Sequence, residues 1–282
     1  MKAWPVRELA TVAHVLAHAR SIGVDRLDAQ LLLARQLGRS RAWLLAHDDA
    51  PITDGAALHA LLARRAAGEP LAYLTGEREF HGLLLQVTPA VLVPRPDTET
   101  LVDWALELLA ETSTQRVIDL GTGSGAIALA LRRARPQAEI HASDASHEAL
   151  AVARGNGERL GLPVRWHGGD WWQALDPALR FDLAVANPPY IAADDPHLDA
   201  LRHEPRAALV AQSGGLADIE AIEAGAPARL HVNGWLLIEH GFEQAEAVCE
   251  CLLRAGFTEL ETRLDLAGQP RVSGGRLGSS KG

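Results

Sequence analysis

Between about residues 5 and 70, Leu, Ala and Val return every three or four positions. They do so in three runs, VRELATVAHVLAHARSIG, DRLDAQLLLARQLG and DGAALHALLARRAAGEP. That period belongs to helices with one apolar face. Each run is closed by Gly, and Asp25 and Asp54 stand where an N-cap is wanted. The connections are short and polar, so the pattern predicts a small helical bundle.

The pattern breaks at GEPLAYLTGEREFHGLLLQVTPAVLVPRPDTE. Gly68, Pro70, Gly76, Gly82, Pro89, Pro94 and Pro96 punctuate short apolar stretches, as in a β-hairpin acting as connector. A helix is expected from near Pro96, with acids in its first turn. Beyond it apolar strands and amphipathic helices alternate: RVIDLGTGSG into AIALALRRARP, AEIHASD into SHEALAVARGNGERLG, then PVRWHGGD, FDLAVANPPY, a helix near 215–231, and GWLLIEHG before EQAEAVCECLLRAGF. Such alternation predicts an α/β fold, a mostly parallel sheet with helices on both faces. The boundaries drawn from the pattern are a helical segment 1–70, a hairpin linker 71–95, an α/β domain 96–275 and a tail 276–282. The Gly/Ser-rich end SGGRLGSSKG is expected to be mobile.

Composition narrows the function. Of 282 residues 48% are apolar and 22% charged, ordinary for a globular protein, and the net charge of −9 argues against a nucleic-acid binder that relies on a basic face. The charge is uneven: residues 1–70 carry 9 Lys/Arg against 7 Asp/Glu, a balance of +2 that leaves −11 for the rest. Cys249 and Cys251, two apart on a helical stretch, point to different sides and read as inert thiols in a reducing compartment. The beginning lacks a signal-peptide core and no stretch reaches membrane-spanning length, so a cytoplasmic protein without membrane contact is expected.

Two stretches carry chemistry. DLGTGSGA follows a strand and opens a helix; Gly121, Gly123 and Gly125, with Thr122 and Ser124 between them, let the backbone turn tightly beneath a ligand held by helix N–H groups. The same residues satisfy the dinucleotide fingerprint Gly121-x-Gly123-x-x-Ala126, and a bare tight turn is the bland alternative. Asp144 ends the next strand, 23 residues past Gly121, where a carboxylate can accept from ribose hydroxyls; a cap for the following helix competes as its role. NAD and S-adenosylmethionine (SAM) fit equally to this point.

The other stretch, Asn187-Pro188-Pro189-Tyr190, separates them. Two prolines remove two backbone donors and fix φ, leaving a rigid loop at the sheet's carboxyl edge. Asn187 Oδ1 and the Pro188 carbonyl can accept both N–H bonds of a conjugated –NH2 group. They would aim its nitrogen at a methyl sulfonium and favour the positive charge that grows there, while Tyr190 covers the flat face. Methyl transfer to an amide or aryl amine needs such a clamp, and hydride transfer does not.

With these motifs placed, the chain resembles the SAM-dependent class I methyltransferases, and more closely the HemK/PrmC family of release factor glutamine N5-methyltransferases. GEPLAYLTGEREFHG, LVPRPDTE, DLGTGSGAIALAL, DW at Asp170-Trp171, NPPYI, HEP and PRV at 270–272 carry the resemblance in order along nearly the whole chain. NPPY alone is shared with DNA adenine and RNA guanine methyltransferases; the hairpin and PRPDTE are more specific. The resemblance implies a helical substrate-docking domain, a hairpin linker and a Rossmann-like catalytic domain. It implies as substrate the glutamine of the Gly-Gly-Gln (GGQ) loop of bacterial class 1 release factors, with no direct nucleic-acid binding. On that likeness residues 121–125 line the methionine end of SAM, Asp144 holds the ribose, Trp171 lies beside the adenine, and Asn187 through Tyr190 grip the glutamine amide beside the cofactor. The segment before HEP is shorter than is usual in the family, and His203 stands where an aromatic is common, which bears on the loop 192–206. Rival readings are a glutamine of ribosomal protein L3, a nucleic-acid amine, or a non-catalytic SAM-binding protein. Among other candidates, His14 and His18 read as a solvent-facing pair, and His240 as core or edge packing. No metal site or catalytic base is assigned, because an amide can lose its proton after attack.

Overall fold

The computed structural model describes residues 11–112 and 114–278, and its contacts divide the chain into Met1–Glu77 and Arg78–Gly282. In the first unit α1 (Val12–Ser21), α2 (Arg26–Leu37), α3 (Arg41–Ala46), α4 (Gly55–Ala66) and α5 (Leu71–Thr75) enclose a core that includes Val12, Val15, Leu32, Leu33, Leu58 and Leu62. Asp25 and Asp54 cap α2 and α4, accepting from Leu27 N at 2.7 Å and Ala57 N at 3.1 Å. The sequence pattern missed α3 and α5, which at 6 and 5 residues are too short to display a helical period. Leu71–Thr75 therefore departs from the hairpin expected there; Gly76, at φ 74°, ends that turn. His18 is a correction: it is buried and stacks on His59 with ring centroids 5.0 Å apart.

In the second unit β1 (Glu77–Phe80), only Glu77 of which falls before the division, and β2 (Leu83–Gln86) form the hairpin. A 3-10 turn, Pro96–Thr98, leads into α6 (Glu99–Leu108). Then follow β3 (Arg116–Leu120), α7 (Ala126–Ala134), β4 (Glu139–Asp144), α8 (His147–Leu160), β5 (Arg165–Gly168), β6 (Phe181–Ala186), α9 (Ala217–Gly225), β7 (Leu230–Glu239), α10 (Ala245–Arg254), β8 (Phe257–Leu264) and β9 (Pro270–Leu277). The seven-stranded sheet runs β5-β4-β3-β6-β7-β9-β8, parallel as far as β7, with β9 antiparallel to both its neighbours.

Both faces are covered, which is why its strands are apolar without interruption. Val117, Leu183, Val185 and Leu237 pack on one side with α6 and α7; Ile118, Ala184, Ala186 and Ile238 pack on the other with α9 and α10. The carboxyl-terminal stretch is a second correction. Ser273 to Leu277 of the supposed mobile end belong to β9, with Ser273 fully buried. The glycines there answer to packing, since a Cβ on Gly274 would stand 2.5 Å from Leu237 Cδ2 and one on Gly275 2.4 Å from Leu260 Cδ2. Residues 279–282 lie outside the described residues.

Asn156, Arg159 and Arg133 hold the hairpin to α8 and α7. Asn156 of α8, fully buried, accepts from Gln86 N at 2.7 Å and donates to Gln86 O at 2.9 Å, completing the edge of β2 as a strand would. It also donates to Ser124 O at 3.0 Å, in the glycine loop. Among the described residues no helix is long and apolar enough to cross a membrane.

Candidate active site

The chain leaves β3 outward through β4 to β5, then returns to lay β6 on β3's other side. Loops at the carboxyl ends of β3 and β6 therefore diverge and open a crevice, the place where ligands bind in open α/β sheets. Register decides what reaches it. Leu120 pairs with Ser143 on one side and Ala186 on the other, so Gly121, Asp144 and Asn187 leave the sheet side by side. A cavity of about 400 Å³ opens there, of ordinary size for a small-molecule site.

Of the residues singled out from sequence, Gly121, Thr122, Gly123, Ser124, Asp144, Trp171, Asn187 and Pro189 line this cavity. Gly125 does not. It holds φ 84° at the start of α7, and a Cβ there would meet Leu129 Cδ1 at 3.1 Å and Ala153 Cβ at 3.3 Å, so its smallness serves helix packing beneath the site. Pro188 is buried and Tyr190 half-buried; they flank Pro189 of the wall without lining the cavity themselves.

Asp144 ties the glycine loop to β4: Oδ2 accepts from Gly123 N at 2.9 Å and Oδ1 from Ser146 N at 2.8 Å. The cap of α8 is Ser146, which accepts from Ala149 N at 3.1 Å, so the capping alternative for Asp144 does not hold. Burial pushes its carboxyl above the ordinary aspartate range against the pull of both amides. Asp119 lies beneath. It is fully buried, its Oδ2 accepts from Thr122 Oγ1 at 2.6 Å and Ala128 N at 3.2 Å, and Oδ1 has no partner among the described residues. Desolvation raises it to about 7, with Asp144 adding to the rise.

Trp171 takes a left-handed backbone conformation, φ 38°, and lines the cavity with Asp218. Its ring lies against Gly121. The charged groups on the wall are Asp144, Glu148, Asp170 and Asp218 with Arg95. Four carboxylates to one guanidinium suit a ligand with cationic and hydroxyl groups and disfavour a pyrophosphate.

Asn187 closes the other end. Its Nδ2 donates to Thr98 Oγ1 at 3.2 Å, which leaves Oδ1 as the atom to accept from a ligand. Glu239 places a buried carboxyl at the end of β7, where Tyr190 Oη reaches its Oε1 at 3.5 Å and Oε2 has no hydrogen-bond partner among the described residues. Above the cleft, Arg95 pairs with buried Glu204, whose other oxygen accepts from Val93 N at 3.1 Å. Pro89 to Leu92, Pro94 and Arg95 on one side and Pro205, Ala207 and Ala208 on the other complete the wall.

Sequence reasoning missed Thr98, Asp119, Asp218 and Glu239 as individual site residues, and the whole wall from Pro89 to Pro94. Asp119 and Glu239 did leave a signal: each is a carboxylate in an otherwise apolar buried strand, RVIDL and LLIE. Thr98 left none, because it meets Asn187 only in the folded chain.

Known proteins resemble this chain in sequence and fold. Residues 9–76 match the PrmC N-terminal domain and residues 98–215 the methyltransferase small domain. The release factor glutamine methyltransferase of Bordetella pertussis is 53% identical over 259 residues, 90% of this chain and 96% of that protein. That of Burkholderia pseudomallei is 50% identical over 278 residues, 95% of this chain and 96% of that one. A methyltransferase from Pyrococcus furiosus, 18% identical, superposes with a TM-score of 0.55 over 70% of this chain and 90% of its own, a likeness of fold. The identity to these relatives along nearly their full length, on a methyltransferase fold that brings the glycine loop and the Asn-Pro-Pro-Tyr segment to one cleft, places this chain in the release factor glutamine methyltransferase family.

Proposed function

We propose that this enzyme moves a methyl group from SAM to the side-chain amide nitrogen, N5, of the glutamine in the GGQ loop of a bacterial class 1 release factor. The observation that carries the reading is the place of Asn187: it lines the cavity with the glycine loop and gives one amide N–H to Thr98 Oγ1 at 3.2 Å, which leaves Oδ1 to accept from a substrate amide. The cleft fits SAM. Its wall carries four acidic groups, and the glycine loop opens α7 toward it. Gly121 to Ser124, Asp144 and Trp171 would hold the cofactor, with Gly125 supporting the loop from below.

When bound, SAM supplies a methyl group on a positively charged sulfur, the electrophile for an amide nitrogen. The protein's part is to overcome the weakness of that nitrogen, whose lone pair is shared with the carbonyl. Asn187 Oδ1 and the Pro188 carbonyl take its two N–H bonds, orient the lone pair and favour the charge that grows on nitrogen. Pro188 and Pro189 keep these acceptors fixed. Tyr190, anchored by its hydroxyl toward Glu239, limits where the substrate chain passes. The amide proton leaves after attack, so no side chain need act as base. The helical unit supplies the docking surface for the release factor, in the cytoplasm where translation ends, and the hairpin β1–β2 follows it in the chain.

The test is transfer of labelled methyl from SAM to purified release factor, to the same protein with its GGQ glutamine replaced, to ribosomal protein L3, and to DNA and rRNA. Label confined to the intact release factor supports the reading; label in L3 or nucleic acid overturns it. Asn187→Ala should bind SAM and lose most turnover.

A further inference from the structure

After the Asn-Pro-Pro-Tyr segment the chain makes a detour and comes back to where it left. Ile191 and Val210 form a parallel bridge, with Ile191 N donating to Leu209 O at 2.9 Å and Ala211 N to Ile191 O at 3.0 Å. Residues 192–208 are therefore a loop whose two ends meet at a fixed base. From Ala192 to Ala208 every residue is exposed or half-buried except Glu204. A loop that buries so little apolar surface has little to hold it down. Yet Pro205, Ala207 and Ala208 form part of the cavity wall, together with Pro94 and Arg95.

A carboxylate seldom enters the interior unless it is paired. Glu204 is paired twice, and both partners lie outside its loop: Oε2 accepts from Val93 N at 3.1 Å and Oε1 from Arg95 Nη2. His197, Arg202 and Arg206 bond instead within the loop, to Asp195 Oδ1 at 2.7 Å, Asp199 O at 3.2 Å and Ala193 O at 3.4 Å. Glu204 thus ties the one wall of the cleft to the other.

We propose that residues 192–208 are a lid on the cofactor cleft and that Glu204 is its latch, a positioning residue that sets how fast SAM enters and its demethylated product leaves. The lid swings on the Ile191–Val210 base when the two bonds of Glu204 break. This rests on the reading that the cleft takes SAM, and it implies a kinetic signature. The latch joins protein to protein, so weakening it favours opening equally in the empty and the loaded enzyme. Entry and exit then quicken together, and affinity stays where it was.

Glu204→Gln keeps the shape and one acceptor oxygen but loses the charge and the other acceptor. Association of labelled SAM, followed by rapid mixing, and its dissociation, followed by a chase with unlabelled SAM, should each rise about 10-fold, the low end for a hydrogen bond to a charged group. The Kd should stay within about twofold, which also reports that the variant is folded. Glu204→Asp keeps the charge and is one methylene too short to reach both donors, so its rates should fall between. Where Glu204→Gln fails to fold, the same two rates in Glu204→Asp decide. Wild-type rates in the variants would overturn the latch and leave the cofactor site standing. A raised Kd with unchanged association would overturn it too, because the glutamate would then be shaping the site itself. Failure of the wild-type protein to bind SAM would end both readings.

Discussion

The indole of Trp171 rests on the backbone of Gly121: a Cβ built on that glycine would stand 2.9 Å from Trp171 Cζ3 and 3.3 Å from Cη2. Gly121→Ala must therefore push the ring across the cleft, besides straining a residue at φ 74°. Gly123, at φ 56° with nothing within 4 Å of its missing Cβ, carries the strain without the collision. Left-handed strain of this kind costs about 1–3 kcal/mol. Both alanine variants should lower the melting temperature, but Gly121→Ala should weaken SAM binding by a further factor of about 10, one unit of RT ln 10 for the displaced ring. Calorimetry on the two variants checks it, and equal affinities would show that the ring position is immaterial to the cofactor.

Asp144 has a structural task that the sequence did not reveal, since both oxygens already hold backbone amides of Gly123 and Ser146. Each oxygen retains lone-pair capacity for a hydroxyl group. Asp144→Ala should then lose stability and cofactor together. Wild-type protein at a hundredfold excess of SAM over its dissociation constant should gain about 2.7 kcal/mol, seen as a rise in melting temperature. The variant should show little rise. An undiminished rise would leave the carboxylate with the loop-tying role alone.

What was legible in the sequence is what depends on neighbours along the chain. The period of LLLARQL, the cap at Asp25, the strand in FDLAVA and the turn chemistry of DLGTGSG are local, and the fold follows from their order. What was not legible depends on register and on contacts made across the chain. Thr98 and Asn187 are 89 residues apart, and Val93 and Glu204 are 111 apart. The final strand was hidden for a related reason: SGGRL reads as flexible by composition, while the packing of Gly274 against Leu236 and Leu237 is what makes glycine necessary.

Asn156 joins three parts of the catalytic unit, and its removal should show it. Asn156→Ala leaves Gln86 N, Gln86 O and Ser124 O without their buried partner. At about 1–3 kcal/mol for each unsatisfied buried group, partly relieved where water enters, a loss of at least about 2 kcal/mol is expected in urea unfolding. Asn156→Asp should do no better, because a carboxylate can accept from Gln86 N and must face two carbonyl oxygens. A near-neutral Asn156→Asp would mean that the hairpin is held by its other contacts, such as Arg133 Nη1 to Gly82 O at 2.6 Å.

Glu223 of α9, which does not line the cavity, should give the fold a pH dependence. It is buried, and neither oxygen makes a hydrogen bond of ordinary geometry to the described residues, the Cys251 thiol being the polar group alongside. Burial lifts its carboxyl well above the ordinary 4.5, Glu220 adds to the rise and Arg254 opposes it. A carboxyl that titrates higher when folded holds its proton more tightly in the native state. Its contribution is complete below the unfolded value and is lost as pH rises through the folded one. Asp119 and Glu239, each raised to about 7, act in the same direction. These carboxyls subtract stability as pH rises from about 5 to 8. His18, His141, His167 and His240, whose burial lowers their hold on a proton, add it over the same rise, so the part due to Glu223 is read as a difference between variants. Glu223→Gln cannot ionise, so it should match wild type near the acid end and exceed it by about 1–3 kcal/mol near the alkaline end. Urea midpoints of the two proteins across that range decide the matter: curves that run parallel throughout would show that Glu223 does not titrate on unfolding.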